Sequence, residues 1–178
     1  MAQIAKTFAP PCHLAWRVPL RVASRVASRV ALSRPEAEAV WQVQQPAYRV
    51  EADIIGCADF PPLRECVDAI LLAGEDFLLA YDNHQVVGAL SCLHGDEGCV
   101  ICRMVVMPRH FRRGIGRWML HYLFLSTNPA LACRVVTARA NHPGIAFYES
   151  LGFSPSLHFA SKECIDLVLL THRARAAA

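Results

Sequence analysis

The chain has 178 residues, 54% of them apolar, so it can bury one sizeable core but is too short for two ordinary domains. Its net charge of +3 is uneven, because residues 1–35 carry six basic and no acidic side chains, whereas the rest carries 12 basic and 15 acidic ones. A mildly acidic body argues against a nucleic-acid partner. No apolar run reaches the roughly 18 residues that a bilayer requires, so we expect no membrane span.

A four-residue repeat sets the N-terminal segment apart from the rest of the chain. The run "RVASRVASRVALSRP" repeats Arg-Val-Ala-Ser and contains no acidic residue. On a helix with 3.6 residues per turn this period drifts slowly and produces a basic stripe. Such a stripe fits a targeting helix, a surface helix or a non-native extension from a misassigned start. We predict that residues 1–46 form an extension outside the domain, flexible or used for targeting.

The eight cysteines are more typical of free thiols than of disulfides. Most of them lie in apolar runs, where a cysteine behaves as a small hydrophobe. We therefore predict a reducing, cytoplasmic location, or an organellar one if residues 1–35 are a transit peptide. Cys99 and Cys102 have Cys-x-x-Cys spacing, but residues three apart on a strand point to opposite faces. With no second Cys/His pair beside them, we expect no metal site.

The first half of the domain is predicted to alternate strand, helix and hairpin. Tyr48, Val50, Ala52 and Ile54 alternate with polar neighbours, which predicts a half-buried strand over 47–55 and a domain start at residue 47. Four further elements have clear turn signals at their ends: a helix within 58–74, two hairpin strands at 76–81 and 85–93, and a central strand, covered on both faces, at 99–107.

The second half repeats the alternation of helix and strand. Pro108 ends the central strand, because proline lacks the N–H that a strand ladder needs. The following patterns predict a helix from Ile115 that stops before Asn128, a strand at 132–140, a short helix within 141–153 and a last strand at 163–170. We place the domain at 47–172 and a disordered tail at 173–178. This order predicts an α/β or α+β sheet with helices on its faces.

The loop "RHFRRGIGR", residues 109–117, is predicted to bind an anion. Its two glycines allow a tight turn in which successive N–H groups converge, and the following helix N-terminus and four arginines add positive charge. A phosphate or pyrophosphate fits these features. A Rossmann fingerprint is excluded because Met119 occupies its third glycine position, and a P-loop is excluded because the loop has no lysine.

Two motifs in this order resemble the GNAT N-acetyltransferase family. They are "MVVMPRHFRRGIGRWML" and, further along the chain, "NHPGIAFYESLGF". Together they match the family's strand, glycine loop and Asn-to-Gly-Phe segment, and the resemblance covers about residues 47–170. It implies a GNAT-like mixed, mostly antiparallel sheet flanked by helices, with splayed central strands, and acetyl-CoA as acyl donor.

The same resemblance implies roles for individual residues. Met104, Val105 and Val106 would pair with the pantetheine arm as an added strand does, and the Val106 N–H would polarise the thioester oxygen. Asn141 would bond the pantetheine or neighbouring backbone, and Tyr148 would be the general acid near the sulfur, with an ordinary buried tyrosine as the other interpretation. The pyrophosphate would be held by the backbone of the loop residues Phe111, Arg112, Arg113, Gly114, Ile115, Gly116 and Arg117.

Two positions depart from the family pattern. Phe111 replaces the first Gln or Arg of the glycine loop, so phosphate binding must depend more on backbone N–H groups and the neighbouring arginines. Gly144 replaces the usual alanine of the second motif, beside Pro143. We regard the second change as mild.

The acceptor side of the reaction is less clear from the sequence. An alkyl ammonium with a pKa near 10.4 is only about 0.04% deprotonated at pH 7, so a base is needed. The central strand offers Cys102 and Arg103 in place of a carboxylate. We predict Glu97, in the turn before the strand, as the base; the other titratable candidates nearby are Asp96, His94 and His110, and a solvated turn residue is the other interpretation of each. Cys102 would allow an acetyl-cysteine intermediate, but no activating His or Asp is evident beside it.

We therefore predict an acetyl-CoA-dependent N-acetyltransferase that acts on a small-molecule or peptide amine by direct attack in a ternary complex. The alternative is a non-catalytic acyl-CoA-binding or regulatory GNAT-like module. The acceptor pocket is expected between residues 56–66 and 154–164, which carry Asp59, Glu65 and Glu163 as candidate amine-attracting acids. The acceptor itself and the oligomeric state, a homodimer included, are left open.

Overall fold

The computed structural model describes residues 24–26, 32–127 and 132–172 of the chain. The strands are β1 (Ser24–Val26), β2 (Asp76–Asp82), β3 (Gln85–Gly95), β4 (Gly98–Val106), β5 (Ala132–Ala138), β6 (Ser154–Ala160) and β7 (Asp166–His172). The α-helices are α1 (Arg34–Ile55), α2 (Val67–Leu72), α3 (Ile115–Ser126) and α4 (His142–Glu149). The strands form one sheet in the order β1-β2-β3-β4-β5-β7-β6.

The sheet is mixed and mostly antiparallel, as predicted. Within the described sheet, β4 and β5 form the one parallel pair. One face packs against α3 and α4 around Met119, Leu120 and Tyr148, and the other packs against α1 and α2 around Val40 and Ile70. Along β2 and β3, side chains alternate between the two cores because successive residues of a strand point to opposite faces.

The predicted strand over 47–55 is wrong, because these residues form the last turns of α1. The buried positions of this helix recur three or four residues apart, which is the spacing of one helix face. They are Ala37, Val40, Val43, Gln44, Ala47 and Ala52. The two-residue alternation of apolar side chains that suggested a strand leaves Ile54 43% exposed. A two-residue alternation of apolar side chains over a short stretch therefore does not distinguish a strand from a helix, because a helix can contain the same short pattern.

The proposed domain start at residue 47 falls inside this helix. Glu36 accepts hydrogen bonds from the backbone and hydroxyl of Ser33, and Pro35 lies in the first turn, so the helix begins well before that boundary. β1 also lies in the predicted extension and pairs with β2. Parts of residues 1–46 therefore belong to the folded unit. The targeting prediction for the repeat and the tail prediction for 173–178 fall largely or wholly outside the described residues.

Most of the other elements follow the prediction. The hairpin between β2 and β3 turns at Asn83 and His84, both with positive φ, as a tight two-residue hairpin requires. The helix expected within 58–74 is divided into a short 3-10 helix at Pro61–Arg64 and α2. β6 was not predicted, and its seven residues are all exposed at the edge of the sheet. None of the helices in the described ranges is long and apolar enough to cross a bilayer.

A β-bulge divides the central strand β4 into two halves. Ser91 pairs with Arg103 but Cys92 pairs with Ile101, so Cys102 is an extra residue on β4. Before the bulge Cys99 and Ile101 face α3 and α4, and after it Val105 faces α1. The predicted cover on both faces is wrong for the first half, because the side chain of Val100 is 39% exposed opposite α3 and α4.

Candidate active site

The strands β4 and β5 separate beyond the bulge and leave a gap at the centre of the sheet. Their parallel pairing ends at Ile101 and Val135, and we call the space between residues 102–106 and 136–138 the β4–β5 gap. Within the described sheet, the β4 edge at Met104, Val105 and Val106 has no strand partner on the β5 side. These three residues are the ones predicted to pair with pantetheine, and the open edge gives an extended ligand arm free backbone groups to bond.

The glycine loop lies at the end of β4 nearest the gap and leads into α3. The Phe111 amide donates to the carbonyl of Pro108, after which Arg112 and Gly114 both have positive φ, at 61° and 81°. The regular helical ladder begins with the Trp118 amide, which donates to the carbonyl of Gly114. Within the described chain, the amides of residues 112–116 have no hydrogen-bond acceptor, so they are available to an anion.

The side chains of the loop add positive charge on its outside. Arg109, Arg112 and Arg113 are exposed, and Phe111 is 41% exposed, which places this ring outside the core. Arg117 donates to the Ser150 hydroxyl at 3.0 Å and so ties the start of α3 to the end of α4. Gly116 has the ring of Phe147 beside it, since an added Cβ would lie 3.2 Å from Cζ of that ring.

His110 braces the base of the loop. Its Nδ1 lies 2.7 Å from a guanidinium nitrogen of Arg113 and 3.8 Å from the carboxylate of Asp82 in the β2–β3 hairpin. Burial, with the charges of Arg113 and Arg109, lowers the pKa of this imidazole. His110 is therefore neutral at pH 7 and can accept a hydrogen bond from one arginine, which makes it a structural part of the loop.

Asn141 links α4 to two other elements near the gap. Its Oδ1 accepts from the Gly144 amide at 3.0 Å and caps α4, so it bonds neighbouring backbone, one of the two predicted options. Its Nδ2 donates to the Thr137 hydroxyl at 3.1 Å and to the Glu51 carboxylate at 2.9 Å. A Cβ on Gly144 would lie within 2.6–2.9 Å of the Asn141 side chain. Glycine at this position, which departs from the family pattern, thus gives the cap its room.

Tyr148 is buried on α4 and packs edge-on against Phe147 and Phe153. Burial, and then the charge of Glu51, raises the pKa of its hydroxyl, which stays protonated at physiological pH. No described residue exchanges a hydrogen bond with this hydroxyl, although every fully buried polar side-chain atom of the described ranges has a partner. The hydroxyl is therefore not fully buried, and its proton has no acceptor among the described residues.

Glu97 occupies a different position from these groups. It lies in the turn before β4, at the opposite end of that strand from the glycine loop. Its carboxylate accepts from Arg134 at 3.1 Å, and its side chain is 83% exposed. No contact within the described ranges connects it with Tyr148 or Asn141. Its role as general base stays a prediction.

Sequence reasoning missed Glu51, whose carboxylate reaches Asn141 and Thr137 from α1. The strand assignment for 47–55 placed this residue on the polar face of a half-buried strand. The sequence does contain the signal, but at the spacing of a helix instead of that of a strand. One face of a helix holds Ala47, Tyr48, Glu51 and Ala52. Burial raises the pKa of Glu51, although its hydrogen bonds with Asn141 and Thr137 oppose that shift.

A buried ion-pair network supports the same side of the sheet. Arg103, beside the bulge on β4, donates to Glu75 at 2.7 and 3.0 Å and to Glu65, and Gln44 lies 3.2 Å away. Burial lowers the pKa of Arg103, but the bonds and charges of Glu75 and Glu65 outweigh it and raise the pKa. The network connects three elements to the central strand: α1, the segment before α2, and the turn directly before β2. It also keeps Arg103 fully paired.

The cysteines of the described ranges are all free. Cys99 is buried and Cys102 is exposed, as their positions on a strand predicted. No set of three or more His, Cys, Asp or Glu side chains among the described residues is arranged to hold a metal ion.

Comparisons with known proteins agree with this geometry. Residues 73–155 match the family model described as an acetyltransferase (GNAT) domain. The chain is 37% identical over 117 residues to the UPF0157 protein YqkA of Bacillus subtilis (strain 168). That alignment covers 66% of this chain and 34% of the relative, so the chain spans about a third of the length of the curated relative that it matches.

Several solved structures share the fold at low sequence identity. The Thermoplasma acidophilum PaiA N-acetyltransferase in complex with coenzyme A has a TM-score of 0.66 and 15% identity, and the alignment covers 86% of this chain and 99% of that one. The ribosomal-protein-S18-alanine N-acetyltransferase of Escherichia coli has a TM-score of 0.64 and 16% identity, with 88% and 97% covered. Residues 73–155 thus match a GNAT acetyltransferase domain, which supports the predicted family, and the solved structures confirm the predicted fold class.

Proposed function

We propose that this protein transfers the acetyl group of acetyl-CoA to a primary amine of a small molecule or peptide. The observation that carries the proposal is the open edge of β4 along the β4–β5 gap, which leads directly to the unpaired amides of residues 112–116. An extended arm ending in a pyrophosphate fits this combination, because the strand edge bonds the arm and the amides bond the anion. Acetyl-CoA has both parts.

Names of similar structures support the same donor. The Thermoplasma acidophilum protein was solved with coenzyme A, and the putative acetyltransferase YncA of Salmonella typhimurium was solved with acetyl-CoA, at 16% identity and a TM-score of 0.62 over 89% of this chain and 96% of that one. The Escherichia coli enzyme is named for an alanine of ribosomal protein S18, which is a peptide amine. We include both amine classes in the proposal.

Direct attack in a ternary complex is the mechanism that the side chains favour. Burial and the charge of Glu75 raise the pKa of the Cys102 thiol, so this cysteine is a poor thiolate nucleophile at neutral pH. Its sulfur lies 3.5 Å from the carbonyl of Val100 and bonds no imidazole or carboxylate in the described structure. In this proposal the Tyr148 hydroxyl, which stays protonated at neutral pH, donates to the departing sulfur.

A non-catalytic acyl-CoA-binding module is the second candidate. It is favoured by the central strand, which has the fully paired Arg103 beside the gap where a carboxylate could act as base. Such a module would bind the donor without turning it over.

Two measurements together test the proposal and its alternative. Calorimetry should show acetyl-CoA binding, and chromatography should show CoA release that depends on an added amine from a panel of small amines and short peptides. Chromatography is preferable to a thiol reagent, because Cys66, Cys102 and Cys164 are exposed and would react. Binding without amine-dependent release would support the module, and a failure to bind acetyl-CoA would contradict both.

A further inference from the structure

Glu51 connects α1 to the far side of the β4–β5 gap. Its Oε1 accepts from Asn141 Nδ2 at 2.9 Å and lies 3.5 Å from the Thr137 hydroxyl. Thr137 stands on β5 two positions beyond Val135, where the pairing with β4 has ended. The helix α1 itself packs against β3 and β4. The carboxylate therefore spans the opening through which an acceptor would meet the acyl donor.

The second oxygen of Glu51 is open. Neither a donor nor a cation of the described residues bonds Oε2, yet no fully buried polar side-chain atom in those ranges lacks a partner. Oε2 is thus not fully buried, while Oε1 accepts one hydrogen bond at 2.9 Å and a longer one at 3.5 Å. A carboxylate held by one oxygen and free at the other is oriented to accept a proton from a molecule that enters the gap.

The groups that face Glu51 come from three elements. Tyr48 lies one turn earlier on α1, and Tyr148 lies on α4. Thr137 lies near the end of β5, and Asn141 caps the start of α4. Burial raises the pKa of both tyrosine hydroxyls, and the charge of Glu51 adds to the rise. Two hydroxyl groups that stay protonated thus lie near one carboxylate that can ionise, which separates acid and base roles within one site.

We propose that Glu51 is the general base that takes the proton of the acceptor amine. This inference rests on the proposed acetyl transfer. Glu51 gives the protein the carboxylate that its central strand lacks, supplied from a helix on the other side of the gap. It is a better placed base than Glu97, whose carboxylate is paired with Arg134 and exposed to solvent.

The proton and electron balance of the step is complete. The acceptor ammonium gives one proton to Glu51 Oε2, which passes it to water. The freed nitrogen lone pair forms the C–N bond with the acetyl carbon, and the C–S bond breaks with its electron pair on sulfur. The second proton of the nitrogen passes to that sulfur by way of the Tyr148 hydroxyl. The products are the amide, free CoA and one proton in solution.

The environment of Glu51 suits this role. Burial raises the pKa of its carboxyl above the ordinary 4.5, towards that of the amine, which strengthens it as a base, while the hydrogen bonds from Asn141 and Thr137 favour its ionised form. The same burial costs folding free energy. Because the folded-state pKa is raised, stability falls as pH rises from the unfolded value through the folded value. Removing this charge should therefore not lower the melting temperature at pH 7.

The test compares Glu51→Gln with the wild type on two acceptors of different basicity. One probe is an N-acetylated peptide that offers a single lysine amine, and the other is a lysine-free peptide that offers its α-amine. Their pKa values are about 10.4 and about 8, so the lysine amine depends far more on a base at pH 7. The amide oxygen introduced by Glu51→Gln can still accept the bond from Asn141. Asp53→Asn, an exposed acid on the same helix, is the matched control.

We expect Glu51→Gln to lower kcat on the lysine peptide by about 100-fold at pH 7 and on the α-amine peptide by less than about tenfold. The loss on the lysine peptide should shrink as pH rises, with the KM for acetyl-CoA within about twofold of wild type. Glu51→Asp should recover part of the rate, because it restores a carboxylate. Asp53→Asn should match the wild type.

Equal losses on both acceptors at every pH, or a change in KM alone, would contradict the base assignment and make Glu51 a positioning residue. Activity of Glu51→Gln equal to wild type would also overturn it. If the wild type itself transfers acetyl to neither peptide nor to any small amine, the proposed function fails instead, and the two failures are distinct. A Glu51→Gln protein that melts well below the wild type at pH 7 would contradict the folding argument, and the Glu51→Asp rate would then decide the role.

Discussion

The proposed donor side and the proposed acceptor side of the β4–β5 gap are built in opposite ways. The donor side is continuous in sequence, since β4, the glycine loop and the start of α3 supply its free strand edge and its unpaired amides. The acceptor side is assembled from α1, β5 and α4, through Glu51, Thr137 and Asn141, which are up to 90 residues apart. A motif can therefore reveal the first side, whereas the second depends on how distant elements pack.

Backbone and side chains also divide the work between the two sides. The donor side offers amide groups, which any residue provides when the chain has the right φ angles, so it tolerates changes such as Phe111. The acceptor side offers particular carboxylate, amide and hydroxyl groups, which must lie within hydrogen-bond distance of one another. We expect substitutions to act accordingly, through backbone shape on one side and chemical identity on the other.

The largest effect is expected where the acceptor side is fixed to the sheet. Arg103→Met removes a buried guanidinium and leaves the half-buried carboxylates of Glu65 and Glu75 without their cation, which should lower the free energy of unfolding by about 3–5 kcal/mol. Urea unfolding measures this loss. Arg64→Met is the control, because its ion pair with Asp59 is exposed and should cost less than about 1 kcal/mol. Equal losses would mean that the network does not anchor this side.

On the donor side, Gly116→Val should weaken acetyl-CoA binding by at least about 100-fold, or about 2.7 kcal/mol. An added Cβ meets the ring of Phe147 at 3.2 Å, and a branched side chain would also crowd the neighbouring amides. Calorimetry with acetyl-CoA gives the affinity. Phe111→Gln is the companion variant and should change affinity less than about twofold, because the Phe111 side chain is exposed and the amides do the binding. Similar losses in both variants would show that backbone groups are not what holds the phosphates.

Tyr148→Phe tests the group that both sides share. It should lower kcat by about 10- to 50-fold and leave acetyl-CoA affinity within about twofold, because the hydroxyl acts on the sulfur only as the bond breaks. Steady-state kinetics together with calorimetry separates the two quantities. The melting temperature should stay near that of wild type, since no described residue bonds this hydroxyl. Unchanged turnover would rule out the acid role.

The smallest effect is expected at the α4 cap. Gly144→Ala would place a Cβ within 2.6–2.9 Å of Asn141 and displace its side chain, which should cost about 1 kcal/mol of stability. It should also reduce turnover, since Asn141 holds Glu51. Thermal unfolding and the rate on the lysine peptide measure the two effects. Gly95→Ala is the matched control, with no atom within 4 Å of an added Cβ. If it behaves like Gly144→Ala, the close approach to Asn141 is irrelevant.

The predicted site shows the same division as the molecule. The strand triplet, the glycine loop, Asn141 and Tyr148 were all named from two local motifs; in the structure the triplet lines the β4–β5 gap, the loop follows β4, and Asn141 caps α4, while their roles stay predictions. Glu97 was chosen as base because it was the nearest acid in sequence to the central strand, yet the turn directs it to Arg134 and solvent. Nearness along the chain is a poor guide to a side chain whose partner must come from another element.

The fold divides similarly. Hairpins, the central strand and α3 were predicted because turn residues and apolar periods act within a few residues. α1 was misread, because its short apolar alternation has two explanations and only packing against the sheet selects the helical one. β6 was missed, because a fully exposed edge strand leaves no burial pattern in its sequence.

The sequence by itself determined the local conformations that bind the donor, since glycine, proline and β-branched residues set backbone angles without help from the rest of the chain. Tertiary structure alone decided where Glu51 lies. A carboxylate becomes a base through burial, orientation and neighbours, and these come from helix, strand and cap brought together by the core. Neighbouring residues set the backbone conformation that exposes amide groups, whereas the reactivity of a side chain depends on the tertiary packing around it.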